Sequence, residues 1–203
     1  MVSAEMVHEW LACFAERVET GRGLLNELDR FIGDGDHGTN MVRGMSAVVA
    51  LVPEPDQGIS GYLRQVAMTL IRDVGGAAGP LYGTFFLRAC GVLAILPEPS
   101  HAVWCAALQA GVEGVAERGR CMLGDKTLFD VLAPAVDAFA ADFVDPWGAA
   151  ARRADSSRLQ TADMIASKGR AAFLGTRSLG VVDPGATSAS WLMAAGAEVM
   201  PSS

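Results

Sequence analysis

Apolar side chains at Val7, Trp10, Leu11, Phe14 and Val18 recur three and four residues apart, the interval that gathers them on one face of an α-helix. The same interval runs through Leu63, Val66, Ala67, Leu70, Ile71 and Val74, and again through Leu128, Val131, Leu132, Ala135, Val136 and Phe139. Segments near 80–96, 101–118, 158–174 and 185–199 are rich in Ala, Leu and Met, which favour helix. No segment alternates convincingly with period two, so no strand is expected. Pro, Gly and Asp punctuate the chain at PEPDQG (53–58), LPEPS (96–100) and DPWG (145–148), where turns are predicted. The pattern predicts an all-α chain of some eight helices joined by short loops. No repeat, low-complexity tract or long linker marks a boundary, so residues 1–203 are expected to form one helical domain.

Composition is consistent with that. Of 203 residues, 51% are hydrophobic, enough to bury a substantial core. Lys and Arg number 16 against 23 Asp and Glu, and the net charge of −7 argues against a general grip on nucleic acid. A phosphate ligand would therefore need a local device, a metal or backbone N–H groups. Cys13, Cys90, Cys105 and Cys121 form no CxxC pair and sit among apolar neighbours, as core thiols do. Glu5 and His8 interrupt the stretch that a signal peptide would need to be apolar, and no run is long enough to span a bilayer. A cytoplasmic protein without membrane contact is expected.

Candidate chemistry lies in the glycine-rich stretches. In LDRFIGDGDHGTNM, Asp29, Asp34 and Asp36 fall within eight residues, with glycines at 33, 35 and 38 to bend the chain. Two carboxylates 4 Å apart repel by roughly 4 kcal/mol near a protein surface, a cost that a hard divalent cation removes. The spacing is not that of an EF-hand, since its sixth position would be Thr39 and its twelfth Met45. Magnesium with phosphate suits the residues. The alternative is that Asp34 or Asp36 caps a helix starting near Gly38. His37 either packs or donates to phosphate.

Gly75-Gly76-Ala77-Ala78-Gly79-Pro80 follows one helix and opens another, with Pro80 expected at its first position. Free N–H groups and the helix dipole make such a start an anion site, and a close helix crossing is the competing reading. The stretch lacks the GK[ST] ending of a P-loop. Gly124-Asp125-Lys126-Thr127 and Asp183-Pro184-Gly185-Ala186-Thr187 each precede a helical pattern, with Asp125 and Asp183 in capping positions. Lys168, Arg170 and Arg177 supply cations between them.

Taken in order, IGDGDHGTNM, GGAAGPLYG, GDKTLFDVLAP and ASKGRAAFLGTRSLGVVDPGATS resemble the L-subunit family of dihydroxyacetone kinases over nearly the whole chain. The resemblance implies an eight-helix barrel whose loops at one end hold ADP or ATP through two magnesium ions. It makes Asp29, Asp34 and Asp36 the metal ligands. It places His37, Gly38, Thr39, Asn40, Ala77 and Ala78 against the phosphates. Gly119, Leu128, Arg177, Asp183, Pro184 and Gly185 would surround the rest of the nucleotide. No residue is implied as a nucleophile.

The resemblance also implies partners. An M subunit would recharge the bound ADP from a phosphohistidine, and a K subunit would hold dihydroxyacetone, for which these residues contain no second domain. It also permits service to an ATP-dependent kinase of another small ketose such as erythrulose, or a regulatory role docking a transcriptional regulator. One departure stands out: the family loop commonly reads GGASGP, whereas this chain has Ala78 in place of the serine.

Overall fold

The computed structural model describes residues 2–94 and 99–201. Among the described residues there are nine α-helices and no strand. They are α1 (Ala4–Thr20), α2 (Arg22–Ile32), α3 (His37–Val49), α4 (Gly58–Asp73), α5 (Ala78–Leu93), α6 (His101–Gly119), α7 (Phe129–Ala141), α8 (Pro146–Gln160) and α9 (Pro184–Val199).

Eight of them close into a ring. Each of α3 to α9 packs on the next, and α1 completes the circuit by packing on both α9 and α3. The second helix stands outside it, against α3, α9 and residues 170–178. The expected eight-helix barrel is thus present, with one further short helix laid against it. Its interior is filled by aromatic side chains from several staves: Trp10 meets Phe86 and Trp147 edge to face, and Trp147 also meets Trp104 and Phe139. Such pairs contribute beyond their buried area. The indole of Trp10 donates to Leu192 O at 2.9 Å, so this ring is satisfied as well as buried.

Short connections make neighbouring staves antiparallel, which puts alternate connections at the same end. One end receives the links 33–36, 74–77, 120–128 and 161–183, and these carry the glycine motifs. The other receives the proline turns, of which LPEPS (96–100) lies largely outside the described residues.

Three local expectations need correction. Residues 158–174 do not continue as a helix. After Gln160 the chain makes a single 3₁₀ turn at Thr161–Asp163 and a second 3₁₀ segment over Arg170–Ser178, with positive φ at Gly169 and Gly175. Its backbone bonds elsewhere: Gly180 N donates to Ala162 O at 2.8 Å, and Ala166 N to Ser178 Oγ at 2.9 Å. Those tertiary bonds outweigh the helix propensity of its Ala and Leu residues. Asp125 does not cap α7, which starts four residues later; instead it accepts from Met122 N at 2.8 Å and from Ser167. Of the cysteines, Cys90 is buried, whereas Cys13, Cys105 and Cys121 are half-buried at the edges of the core. All four are free thiols. No helix among the described residues is long and apolar enough to cross a membrane.

Candidate nucleotide and metal site

The four glycine-bearing connections surround a cavity of about 550 Å³ at one end of the barrel. Its acidic wall is the turn between α2 and α3. Asp29 sits in the last turn of α2 and is buried, while Asp34 and Asp36 are exposed, and one carboxylate oxygen from each lies within 4.8 Å of the others. The turn is organised around Asp29, whose Oδ2 accepts from the N–H groups of Asp36 at 2.8 Å and His37 at 3.0 Å. A buried carboxylate that takes two backbone donors is held in one orientation. Asp36 is the residue before α3 but makes no side-chain cap, so the capping alternative is not realised there. The exposed Asp34 pairs with Arg170, which approaches from across the cavity mouth.

Three converging hard oxygen donors, two of them open to solvent, fit a magnesium ion. Opposite them stands the start of α5. Ala77 and Ala78 line the cavity, α5 starts at Ala78, two residues before the Pro80 expected to open it, and no side chain caps the helix, which leaves its first N–H groups available to a ligand. Gly75 lies against α3, where a Cβ would come 2.5 Å from Asn40 Oδ1. The close crossing and the open helix start are therefore both present in one loop.

A second helix start closes the floor. Asp183 caps α9 by accepting from Ala186 N at 2.7 Å, with Pro184 in the first turn. Burial pushes the Asp183 carboxyl up to about 7, against the opposing pull of the Ala186 N–H and of Lys126. Gly185, Leu128 and Gly119 complete the apolar part of the wall together with Leu81 and Cys121.

The expected site residues do not all converge. Asp29, Asp34, Asp36, His37, Asn40, Ala77, Ala78, Gly119, Leu128, Asp183, Pro184 and Gly185 line the cavity. Gly38 and Thr39 face α2 instead: Gly38 packs on Arg22 and Leu25, and Thr39 exchanges hydrogen bonds with the Asn26 side chain at 2.9 and 3.0 Å. Arg177 lies outside the cavity wall, exposed on the 3₁₀ segment, its Nε reaching Leu174 O at 3.4 Å. His37 borders the cavity but its Nε2 pairs with Ser188 Oγ at 3.0 Å, which also meets Tyr82 OH at 2.8 Å. Burial lowers the imidazole to about 4, with Asp29 and Asp36 opposing, so it is neutral. Arg118, Thr127 and Lys126 also line the cavity. The pattern gave no signal for Arg118, and the GDKT stretch suggested only a helix start.

The chain is similar to known proteins in both sequence and fold. The DAK2 domain family model matches residues 31–198. A PEP-dependent dihydroxyacetone kinase ADP-binding subunit, DhaL, of Escherichia coli is 39% identical over 199 residues, covering 95% of both chains. A counterpart in Listeria innocua is 41% identical over 186 residues and 90% of each chain. Among solved structures, the dihydroxyacetone kinase from C. freundii in complex with AMP-PNP and Mg2+ superposes with a TM-score of 0.74 at 25% identity, over 96% of this chain and 33% of that one.

Proposed function

The chain belongs to the DAK2 domain family, and on that premise we propose that it is the ADP-binding subunit of a dihydroxyacetone kinase, with the cavity at the α2–α3 end as its nucleotide site. The observation that carries this reading is the pairing, across one cavity, of the Asp29–Asp34–Asp36 cluster with the uncapped start of α5. Asp29, Asp34 and Asp36 would hold the magnesium, two ions by the family resemblance, and the metal would neutralise phosphate charge. The N–H groups of Ala77 and Ala78 take phosphate oxygens, and Asn40 adds a side-chain contact. Gly119, Leu128 and the turn Asp183–Gly185 enclose the nucleoside.

ADP held in the cavity would serve as the carrier of a phosphoryl group between the phosphohistidine of a phosphotransferase-system M subunit and a hydroxyl of dihydroxyacetone on a K subunit. This chain supplies positioning and electrostatics, not a nucleophile. Its neutral His37, tied to Ser188, fits a supporting role for the loop better than proton transfer.

The mouth is suited to a protein partner. Phe31, at the end of α2, and Met122, Leu123 and Phe173, from two of the four connections, are all exposed large apolar residues. Exposed apolar side chains grouped around a site mark interaction surfaces.

Native mass spectrometry of the purified chain tests the nucleotide assignment, and co-purified ADP is expected. A coupled assay with magnesium, ATP and dihydroxyacetone should show turnover only once a K-type partner is added. Turnover by the chain alone, or calorimetry showing no magnesium-dependent ADP binding, would overturn the reading.

A further inference from the structure

Lys126 has a backbone φ of +62°, a left-handed conformation that a non-glycine residue keeps only where its surroundings hold it. Its side chain is 1% exposed and turned into the protein. The ammonium donates to Val181 O at 2.6 Å, Thr161 O at 2.7 Å and Met164 O at 3.2 Å. A lysine has three donors, and here all three are spent on backbone carbonyls, none on a side chain.

Those carbonyls come from both ends of one loop. Thr161 and Met164 begin the link between α8 and α9, and Val181 stands near its end. One nitrogen therefore gathers the two ends of the stretch that carries Lys168 and Arg170 into the cavity wall. Thr161 adds a second tie, since its Oγ1 accepts from Asp183 N at 2.9 Å. The stretch has little core of its own. Ile32, Ala166 and Ala171 form a small cluster apart from the barrel interior, and Phe173 is 88% exposed.

We infer that Lys126 is a positioning residue for the nucleotide site, a buried clamp on three carbonyls that holds the α8–α9 link over the cavity and so places Lys168, Arg170 and Asp183. Although Lys126 borders the cavity, its ammonium is committed to the three carbonyls, so it acts through the link. This rests on the nucleotide reading above. Removing the amine leaves three carbonyl oxygens without their donor, and the link, poor in buried apolar contacts, is the part free to rearrange.

Lys126→Met retains a long apolar stem and removes the donors. Hydrogen exchange of the full-length variant should rise at least about tenfold across 161–182 while the barrel helices keep their protection. Affinity for ADP with magnesium should fall about tenfold or more. Lys126→Arg keeps the charge but not the three-way geometry, and should fall between Lys126→Met and wild type in both measurements. Unchanged exchange in 161–182, exchange rising equally over the barrel, or a loosened link with undiminished ADP affinity would each overturn the clamp. Should Lys126→Met fail to fold, Lys126→Arg decides: selective loosening of 161–182 with weaker binding supports the clamp, and behaviour identical to wild type refutes it. Absence of ADP binding in the wild-type chain would instead count against the nucleotide site, and the exchange comparison would still judge the clamp.

Discussion

Gly33 stands one helical turn beyond Asp29, and a Cβ at Gly33 would overlap Asp29 Oδ1. The missing side chain is what lets the carboxylate lie against the turn while its other oxygen accepts from Asp36 and His37. Gly33→Ala should displace Asp29 and unfasten the acidic turn. We expect magnesium-dependent ADP affinity to drop by about tenfold or more, equivalent to one or two lost charged hydrogen bonds, with the helical circular dichroism unchanged. Calorimetry finding wild-type affinity would show that Asp29 is not a ligand.

The three aspartates should respond differently to neutralisation. Asp34→Asn removes only a partly exposed pair with Arg170, worth about 0–1 kcal/mol, and Asp36→Asn relieves crowding. Neither should lower stability in EDTA appreciably, yet both should abolish magnesium-dependent nucleotide binding. Asp29→Asn should do the same and also destabilise the fold by about 1–2 kcal/mol, because a charged acceptor of two backbone N–H groups becomes a neutral one. Denaturant titrations of the three variants should separate Asp29 from the other two; equal stabilities would contradict its structural role.

Ala78 opens α5 and is buried in the cavity wall, where the family resemblance leads one to expect serine. A hydroxyl there gains a phosphate as partner without disturbing the helix, since serine is accepted in a first turn. Ala78→Ser should tighten ADP binding by up to about 3 kcal/mol. Weaker binding would mean that the side chain at this position points at protein.

The Asp183 carboxyl, raised to about 7 by burial, makes stability pH-dependent. Between about pH 4 and 7 the folded chain holds a proton that an unfolded aspartate has released, so this group's contribution is present below about pH 4 and is lost as pH rises. Asp183→Asn keeps a capping side chain and removes the titration. The unfolding free energy of the variant, from denaturant titration in EDTA and without nucleotide, should therefore gain on that of wild type between pH 4.5 and 7.5, by roughly 4 kcal/mol at most. A gap that is constant with pH would show that Asp183 stays ionised in the folded protein.

What was legible in the chain was whatever depends on local chemistry. The three-and-four spacing from Val7 to Val18 and from Leu128 to Val136 marks α1 and α7, because a helix buries one face whatever it packs against. The crowding of Asp29, Asp34 and Asp36 among glycines marks the acidic turn, since like charges so close need a counter-ion. The Pro184 and Asp183 pair marks the start of α9. The link at 161–183 was decided by tertiary structure alone. Its Ala and Leu residues favour a helix, but its carbonyls are taken by Lys126, a residue 35 positions before the first of them. The burial of Lys126 likewise depends on acceptors distant in sequence. Helix periodicity expresses one face of one element, whereas Gly38 and Thr39 turn toward α2, and Lys168 and Arg170 reach the cavity, only because α2 and that link lean on each other across the mouth of a closed barrel.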